Sequence, residues 1–283
     1  MALHIVTDST SSLPNGFAER HDLQVVWLKV SVNGVFFREF VEISPETFYA
    51  KQRAGAKVGT TQPSPEEFIK IYSELLADPE DEVLSLHLSA ALSGTLNSAY
   101  IAAEQTDPGR VHLYDVRTTG PGFGLMVMSA VKMAERGASV RDVIHMLDGM
   151  QSRTHTYFLV GTMKYLIEGG RVGKAAGVAA SILQIKPILT VRDGIIDVYE
   201  RPRTIRAAHD RLWAIVDQAV VQGIEHIGFY YTGNRPEVEA MQTTFTKRTG
   251  IPSVLGQLGP DLGCHTGPDT VGIVILDSLS RAN

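Results

Sequence analysis

Ser93, Gly94 and Thr95 stand where an apolar run, Val83-Leu84-Ser85-Leu86-His87-Leu88, gives way to Leu96, Ala99, Tyr100 and Ala103 at helical spacing. At a strand-to-helix junction the first backbone N–H groups are free and the helix dipole is positive. A hydroxyl placed there either caps the helix or helps to hold an anion. Three more segments offer hydroxyl, imidazole or glycine chemistry at predicted strand ends. They are Thr7-Asp8-Ser9-Thr10, the run from Gly59 to Ser64 (GTTQPS), and the run from Gly263 to Pro268 (GCHTGP), which contains His265. The ends of parallel strands are where open α/β sheets bind ligands, and mostly neutral donors suit a carboxylate or phosphate held by hydrogen bonds. Each segment also has a structural alternative. Asp8 and Ser9 are good helix caps, Thr60 and Thr61 shape the loop before Pro63, Ser93 or Thr95 serves as an N-cap, and His265 is an ordinary loop histidine.

Other chemistries fail on spacing. GGRVGK resembles a phosphate loop, but Glu168 stands five residues before Gly173 and Ala175 replaces the magnesium-binding Ser or Thr. Gly120-Pro121-Gly122-Phe123-Gly124 lacks the third glycine of a dinucleotide fingerprint, because Leu125 occupies that place. No HExxH or paired CxxC occurs, so neither a metal site nor a cofactor is expected. Ala91 stands where a nucleophile elbow needs glycine, which argues against Ser93 as a hydrolase nucleophile.

These residues must be positioned by an α/β scaffold. Leu3–Thr7, Gln24–Val32 and Val35–Glu39 read as strands, the last two joined by the Asn33-Gly34 hairpin signal. Ser44-Pro45 and Ser64-Pro65-Glu66-Glu67 open helices with proline at the first position, the second also carrying a capping box. Strand 83–88, helix 94–105, strand 111–115 and helix 122–136 follow, and strands alternating with helices predict a mainly parallel sheet. Beyond about residue 150 the pattern becomes strand 156–160, helical stretches near 162–168 and 174–184, and a hairpin through Arg192-Asp193-Gly194. Helix 203–221, strand 225–231, helix 235–248 and strands near 252–257 and 271–276 complete the chain. Two α/β lobes are expected, 1–150 with a mainly parallel sheet and 151–283 with a mixed one, and a ligand cleft between them.

The 283 residues are 44% hydrophobic and 20% charged, as in ordinary globular proteins, and suffice for one large domain or two modest ones. A net charge of −5 provides no electrostatic footprint for nucleic acid or an anionic membrane. The single Cys264 excludes an internal disulfide and fits a reducing cytoplasm. The N-terminus lacks the pattern of a signal peptide, and Ala175–Ile185 is too short to span a bilayer. A soluble cytoplasmic protein with no integral membrane segment is therefore expected.

In order along the chain stand TDSTSSLP, TTQPSPEEF at 60–68, LSGTLNSA at 92–99, EGGRVGKAAG at 168–177, IKPILTVRDG at 185–194 and HTGPDTVG at 265–272. Together they resemble the DegV family of bacterial fatty-acid-binding proteins, over about residues 3–278. The resemblance implies two α/β lobes with one long-chain fatty acid between them. Some members serve as the lipid-carrying subunit of a fatty acid kinase, a separate ATP-binding partner that phosphorylates the carboxyl group. By position, the resemblance sets the carboxylate against Thr60 or Thr61, Ser93, Gly94 and His265. The family usually has Thr-Ser where this chain has Thr60-Thr61, which keeps a hydroxyl and adds a methyl. Arg171, Arg201 and Arg203 become candidates for phosphoryl or partner contact. No catalytic residue of the chain's own is implied. The alternatives are an enzyme using the same cleft, either a serine hydrolase or a small-molecule phosphotransferase, and a lipid-sensing regulator.

A lipid demands an apolar tunnel. About 14 buried methylenes at ~0.8 kcal/mol each offer roughly 11 kcal/mol, reduced by several kcal/mol of lost freedom. Ala175–Ile185 and Phe123–Met133, with Met126 and Met128, have a suitable composition for its wall.

Overall fold

The computed structural model describes residues 2–176 and 185–279. A four-stranded sheet has the order β2 (Gln24–Val26), β1 (Leu3–Asp8), β6 (Glu82–His87), β7 (Val111–Asp115), with every pairing parallel. A mixed six-stranded sheet follows the order β10 (Ile195–Glu200), β9 (Ile188–Arg192), β8 (Thr154–Leu159), β13 (Val271–Asp277), β11 (Ile224–Tyr231), β12 (Val254–Gln257). Only its β11–β12 pair is parallel. Among the described residues, no strand of the parallel sheet lies beyond Asp115, and none of the six-stranded sheet precedes Thr154.

The helices fill the spaces that these sheets leave. Both α3 (Pro65–Leu75) and α4 (Thr95–Thr106) cover one face of the parallel sheet, where Phe68, Tyr72, Ala99 and Ala102 pack on Val6 and Val83. On the other face α5 (Pro121–Ala134) and α6 (Val140–Arg153) lie between the two sheets. Leu86, Met126 and Leu147 there join Tyr230, Val274 and Leu276 of the six-stranded sheet. The outer face of that sheet is covered by α8 (Ile205–Gln222) and α9 (Arg235–Thr249), through Leu212, Val216, Val238 and Phe245. Burial on both faces explains why the core strands read as continuous apolar runs.

The predicted strand 24–32 is two strands. Between β2 and β3 (Lys29–Val32) the backbone N–H of Leu28 donates to Ser9 Oγ at 2.9 Å, and the chain leaves the parallel sheet. Strand β3 then joins an antiparallel sheet of its own, in the order β4 (Val35–Arg38), β3, β5 (Val58–Thr61). Its hairpin turns at Asn33 (φ 51°) and Gly34 (φ 84°), both in the left-handed region that a type I′ turn requires. This small sheet and α2 (Pro45–Arg53) pack on α10 (Pro260–Thr266), burying Val30, Phe48, Tyr49 and Cys264 together. The first element after β1 is a 3-10 turn, Ser9–Ser11, capped by Asp8.

Three helices lie outside the sequence expectations, the single-turn α1 (Phe17–Arg20), α6 and α10. The glycine and brevity of α10 conceal it, although Pro260 occupies a favoured first-turn position. The stretch near 162–168 becomes α7 (Lys164–Glu168), followed by a 3-10 turn at Gly173–Ala175. Most of the predicted helix at 174–184, and of the Ala175–Ile185 candidate tunnel wall, lies outside the described residues. No helix among the described residues is long and apolar enough to cross a membrane.

Candidate functional site

A cavity of about 380 Å³ opens between the C-terminal ends of the parallel strands and the facing side of the six-stranded sheet. Its wall is largely aliphatic and aromatic, with Leu28, Leu88, Leu92, Phe158, Val191 and Ile196 among the lining residues. Phe123 and Met126 are fully buried in the core beside it and do not line it. Thr60, Thr61, Ser93, Arg171 and His265, all singled out in the sequence, do line it.

They come from four separate parts of the chain. Thr60 and Thr61 end β5, and Thr60 Oγ1 lies 3.1 Å from His265 Nε2. Thr61 is half-buried, and its hydroxyl donates to the Gln62 carbonyl at 3.4 Å. Ser93 precedes α4; its Oγ lies 2.9 Å from Thr95 Oγ1 and accepts from the Thr95 N–H at 3.3 Å. Ser93 is thus a capping group that also lines the cavity. Gly94 is the N-cap position itself. A Cβ there would fall 2.0 Å from Gln62 Oε1, so Gly94 lets the Gln62 amide lie across the helix start and donate to Ser98 Oγ at 2.9 Å.

His265 rides on α10 and is held from the opposite side by the EGGRVG turn. A Cβ on Gly169 would lie 2.3 Å from His265 Nδ1 and 3.0 Å from the Tyr165 carbonyl, so only glycine permits this approach. Nδ1 is buried with no hydrogen-bond partner among the described residues. Burial, helped by the nearby Arg171 cation, pushes the imidazole down to about 4, so it is neutral at pH 7. Arg171 itself donates from Nε to the Leu92 carbonyl at 3.0 Å and from Nη1 to the Gly169 carbonyl at 2.7 Å. It therefore ties the loop before Ser93 to the turn behind His265. Arg201 and Arg203 lie elsewhere, exposed between β10 and α8 and away from the cavity lining.

The Thr7–Thr10 segment braces this arrangement from beneath. Asp8, wholly buried, accepts from the Thr10 N–H and hydroxyl, from His87 Nδ1 at 2.9 Å and from the Leu88 N–H at 3.1 Å. Ser85 Oγ lies 2.7 Å from His87 Nε2 and accepts from the Tyr72 hydroxyl at 2.8 Å. Ser85, His87 and Asp8 have the connectivity of a hydrolytic triad, yet all three are completely buried and the Ser85 hydroxyl is taken by Tyr72. Ser9 donates to Glu39 Oε1 at 2.6 Å, and Glu39 Oε2 accepts from the Asp261 N–H at 2.9 Å, which fixes the start of α10. Burial raises the Glu39 carboxyl to about 7, the Ser9 and Asp261 hydrogen bonds opposing and the Asp8 charge assisting.

The sequence reading missed Gln62, Asp261, Thr119 and Tyr230, which also line the cavity. Gln62 and Asp261 lie inside or beside named motifs, and Pro121 at the start of α5 was a usable signal for the Thr119 loop. Nothing local marks Tyr230, which sits in a buried strand. Among the described residues no group of three or more His, Cys, Asp or Glu side chains is placed to hold a metal ion.

An anion fits where these hydroxyls, the imidazole and Arg171 converge, and an apolar body fits the remaining wall. Comparison with known proteins points the same way. The model of the DegV family, described as uncharacterised, matches residues 2–278. A DegV domain-containing protein of Listeria innocua is 33% identical over 95% of this chain and 96% of its own. A DegV family protein from Thermus thermophilus, described for its fatty acid binding, is 36% identical, with a TM-score of 0.88 over 98% of this chain and all of its own. DegV from Bacillus subtilis, described as a fatty acid binding protein, is 26% identical, with a TM-score of 0.89 over the same shares. The chain belongs to the DegV family.

Proposed function

We propose that this protein binds a long-chain fatty acid in the cavity between the two sheets and presents its carboxyl group to a separate ATP-binding kinase subunit. The observation that carries this is the asymmetry of the cavity. Hydroxyls of Thr60, Thr61 and Ser93, the His265 imidazole and the Arg171 guanidinium meet a wall that is mostly aliphatic and aromatic, with Gln62, Thr119, Thr156, Asp261, Thr266 and Thr270 as its other polar residues. Fatty acid binding by the Thermus and Bacillus proteins supports the same ligand class. Of the two threonines, Thr61 is the better candidate for the carboxylate, because the Thr60 hydroxyl already pairs with His265.

The division of labour follows from the chemistry present. Arg171, fixed by two backbone carbonyls, offers a cation to the carboxylate and to a phosphoryl group arriving on it. Arg201 and Arg203 are exposed and suit a partner surface. Incubation of the lipid-loaded protein with ATP and a fatty acid kinase subunit should yield acyl phosphate, and omission of either protein should abolish it. Acyl phosphate formed by this protein alone would favour an enzyme. Lipid binding without turnover in the presence of the kinase would favour a sensor.

A further inference from the structure

Among the described residues the cavity wall carries one carboxyl group, and a carboxyl does not suit a plain hydrocarbon. Asp261 lines the cavity beside Leu258 and Leu262, yet is only 5% exposed. Its backbone N–H is engaged by Glu39, but among the described residues its carboxyl oxygens accept no hydrogen bond. A buried polar group without a partner costs free energy that a ligand atom can recover. Asp261 lies one helical turn from His265 on α10, so the two side chains share a face with Cβ atoms about 6 Å apart.

Resting on the fatty-acid proposal above, we propose that the preferred ligand is an acyl chain carrying a hydroxyl or similar oxygen on one of its first few carbons, met by the Asp261 carboxyl. With the ligand carboxylate near His265, the spacing along α10 sets Asp261 against that part of the chain and not its tail. Its charge state suits the task. Burial first, then the Glu39 and Asp8 carboxylates, raise Asp261 well above the ordinary carboxylate range, and Arg171 only partly offsets this. Tyr49 and Cys264, also nearby, are themselves pushed up and stay neutral. A protonated Asp261 both donates to and accepts from a hydroxyl, and does not repel the ligand carboxylate. Beside an unsubstituted methylene the same carboxyl gains nothing and stays unpaired.

The test compares hexadecanoic acid with 3-hydroxyhexadecanoic acid by calorimetric titration of delipidated wild-type protein, Asp261→Asn and Asp261→Leu. The hydroxy acid should bind wild type about tenfold more tightly, in keeping with one good hydrogen bond. Asp261→Asn, which retains a donor and an acceptor, should keep that preference. Asp261→Leu should abolish or invert it while still binding the plain acid. Equal affinities in wild type, or an unchanged ratio in Asp261→Leu, would overturn the inference and leave the fatty-acid proposal standing. Failure of wild type to bind either acid would overturn both.

Discussion

Ser93 stands where a helix start and the cavity wall coincide. Its hydroxyl caps the start of α4 through the Thr95 N–H and at the same time faces the cavity. Ser93→Ala should therefore weaken fatty acid binding about tenfold, the worth of a charge-assisted hydrogen bond. It should also cost about 1 kcal/mol of stability through the lost hydrogen bond to the Thr95 N–H. Titration with a fatty acid beside a urea melt separates the two effects. A stability loss with unchanged affinity would remove Ser93 from the ligand site. The sequence left cap and ligand as alternatives because both use the same hydroxyl at the same junction. They do not compete if Thr95 Oγ1 is the donor of its pair with Ser93, which leaves the Ser93 proton for a ligand.

Among the elements, the turn after α7 and the short helix α10 are set against each other by what is missing from Gly169. Gly169→Ala drives a methyl into His265 Nδ1 and the Tyr165 carbonyl, so the imidazole must rotate or α10 must shift. Overpacking of this kind typically costs about 1–3 kcal/mol. Loss of fatty acid binding should exceed what that destabilisation explains, as titration below the melting range would show. Much of the element level was legible locally. Asn33-Gly34 and Asp193-Gly194 announced their hairpins, and Ser64-Pro65 announced α3. What local pattern does not carry is partnership between distant segments. Residues 24–32 are uniformly strand-like, so nothing there reports that Leu28 bonds Ser9 and sends the two halves to different sheets. Asp261 lies just outside the Gly263–Pro268 segment that the sequence singles out, and only the fold brings it to the cavity wall.

Across the whole molecule, the buried Glu39 and the half-buried His265, at opposite ends of one short helix, pull stability in opposite directions with pH. Glu39 is raised from 4.5 to about 7, so the folded state binds the extra proton and its contribution is lost as pH rises through that window. His265 is lowered from 6.5 to about 4, so the unfolded state binds the extra proton and stability is lost as pH falls toward 4. Between pH 7 and pH 5 each shift is worth about 2 kcal/mol, and the two nearly cancel. Glu39→Gln should remove one side of that balance. Its stability should fall by about 2 kcal/mol more than wild type between pH 7 and pH 5 in urea melts of delipidated protein. An identical pH slope would show that Glu39 is ionised in the folded protein. A carboxylate ligand beside His265 favours the imidazolium, so the same molecule should take up a proton on binding at mildly acidic pH.

The cavity lies between layers built from opposite halves of the chain, and α10 closes the small first-half sheet from the second half. Ligand and fold are thus coupled, and a lipid bound at a hundred times its Kd adds about 2.7 kcal/mol of stability. The most direct measurement is to purify the protein without added lipid, denature it in organic solvent and identify the released molecules by mass spectrometry. One long-chain fatty acid per protein molecule is the expected result, and a hydroxylated chain would favour the role given to Asp261. An empty extract, with no rise in melting temperature when fatty acids are added back, would contradict lipid binding at this site.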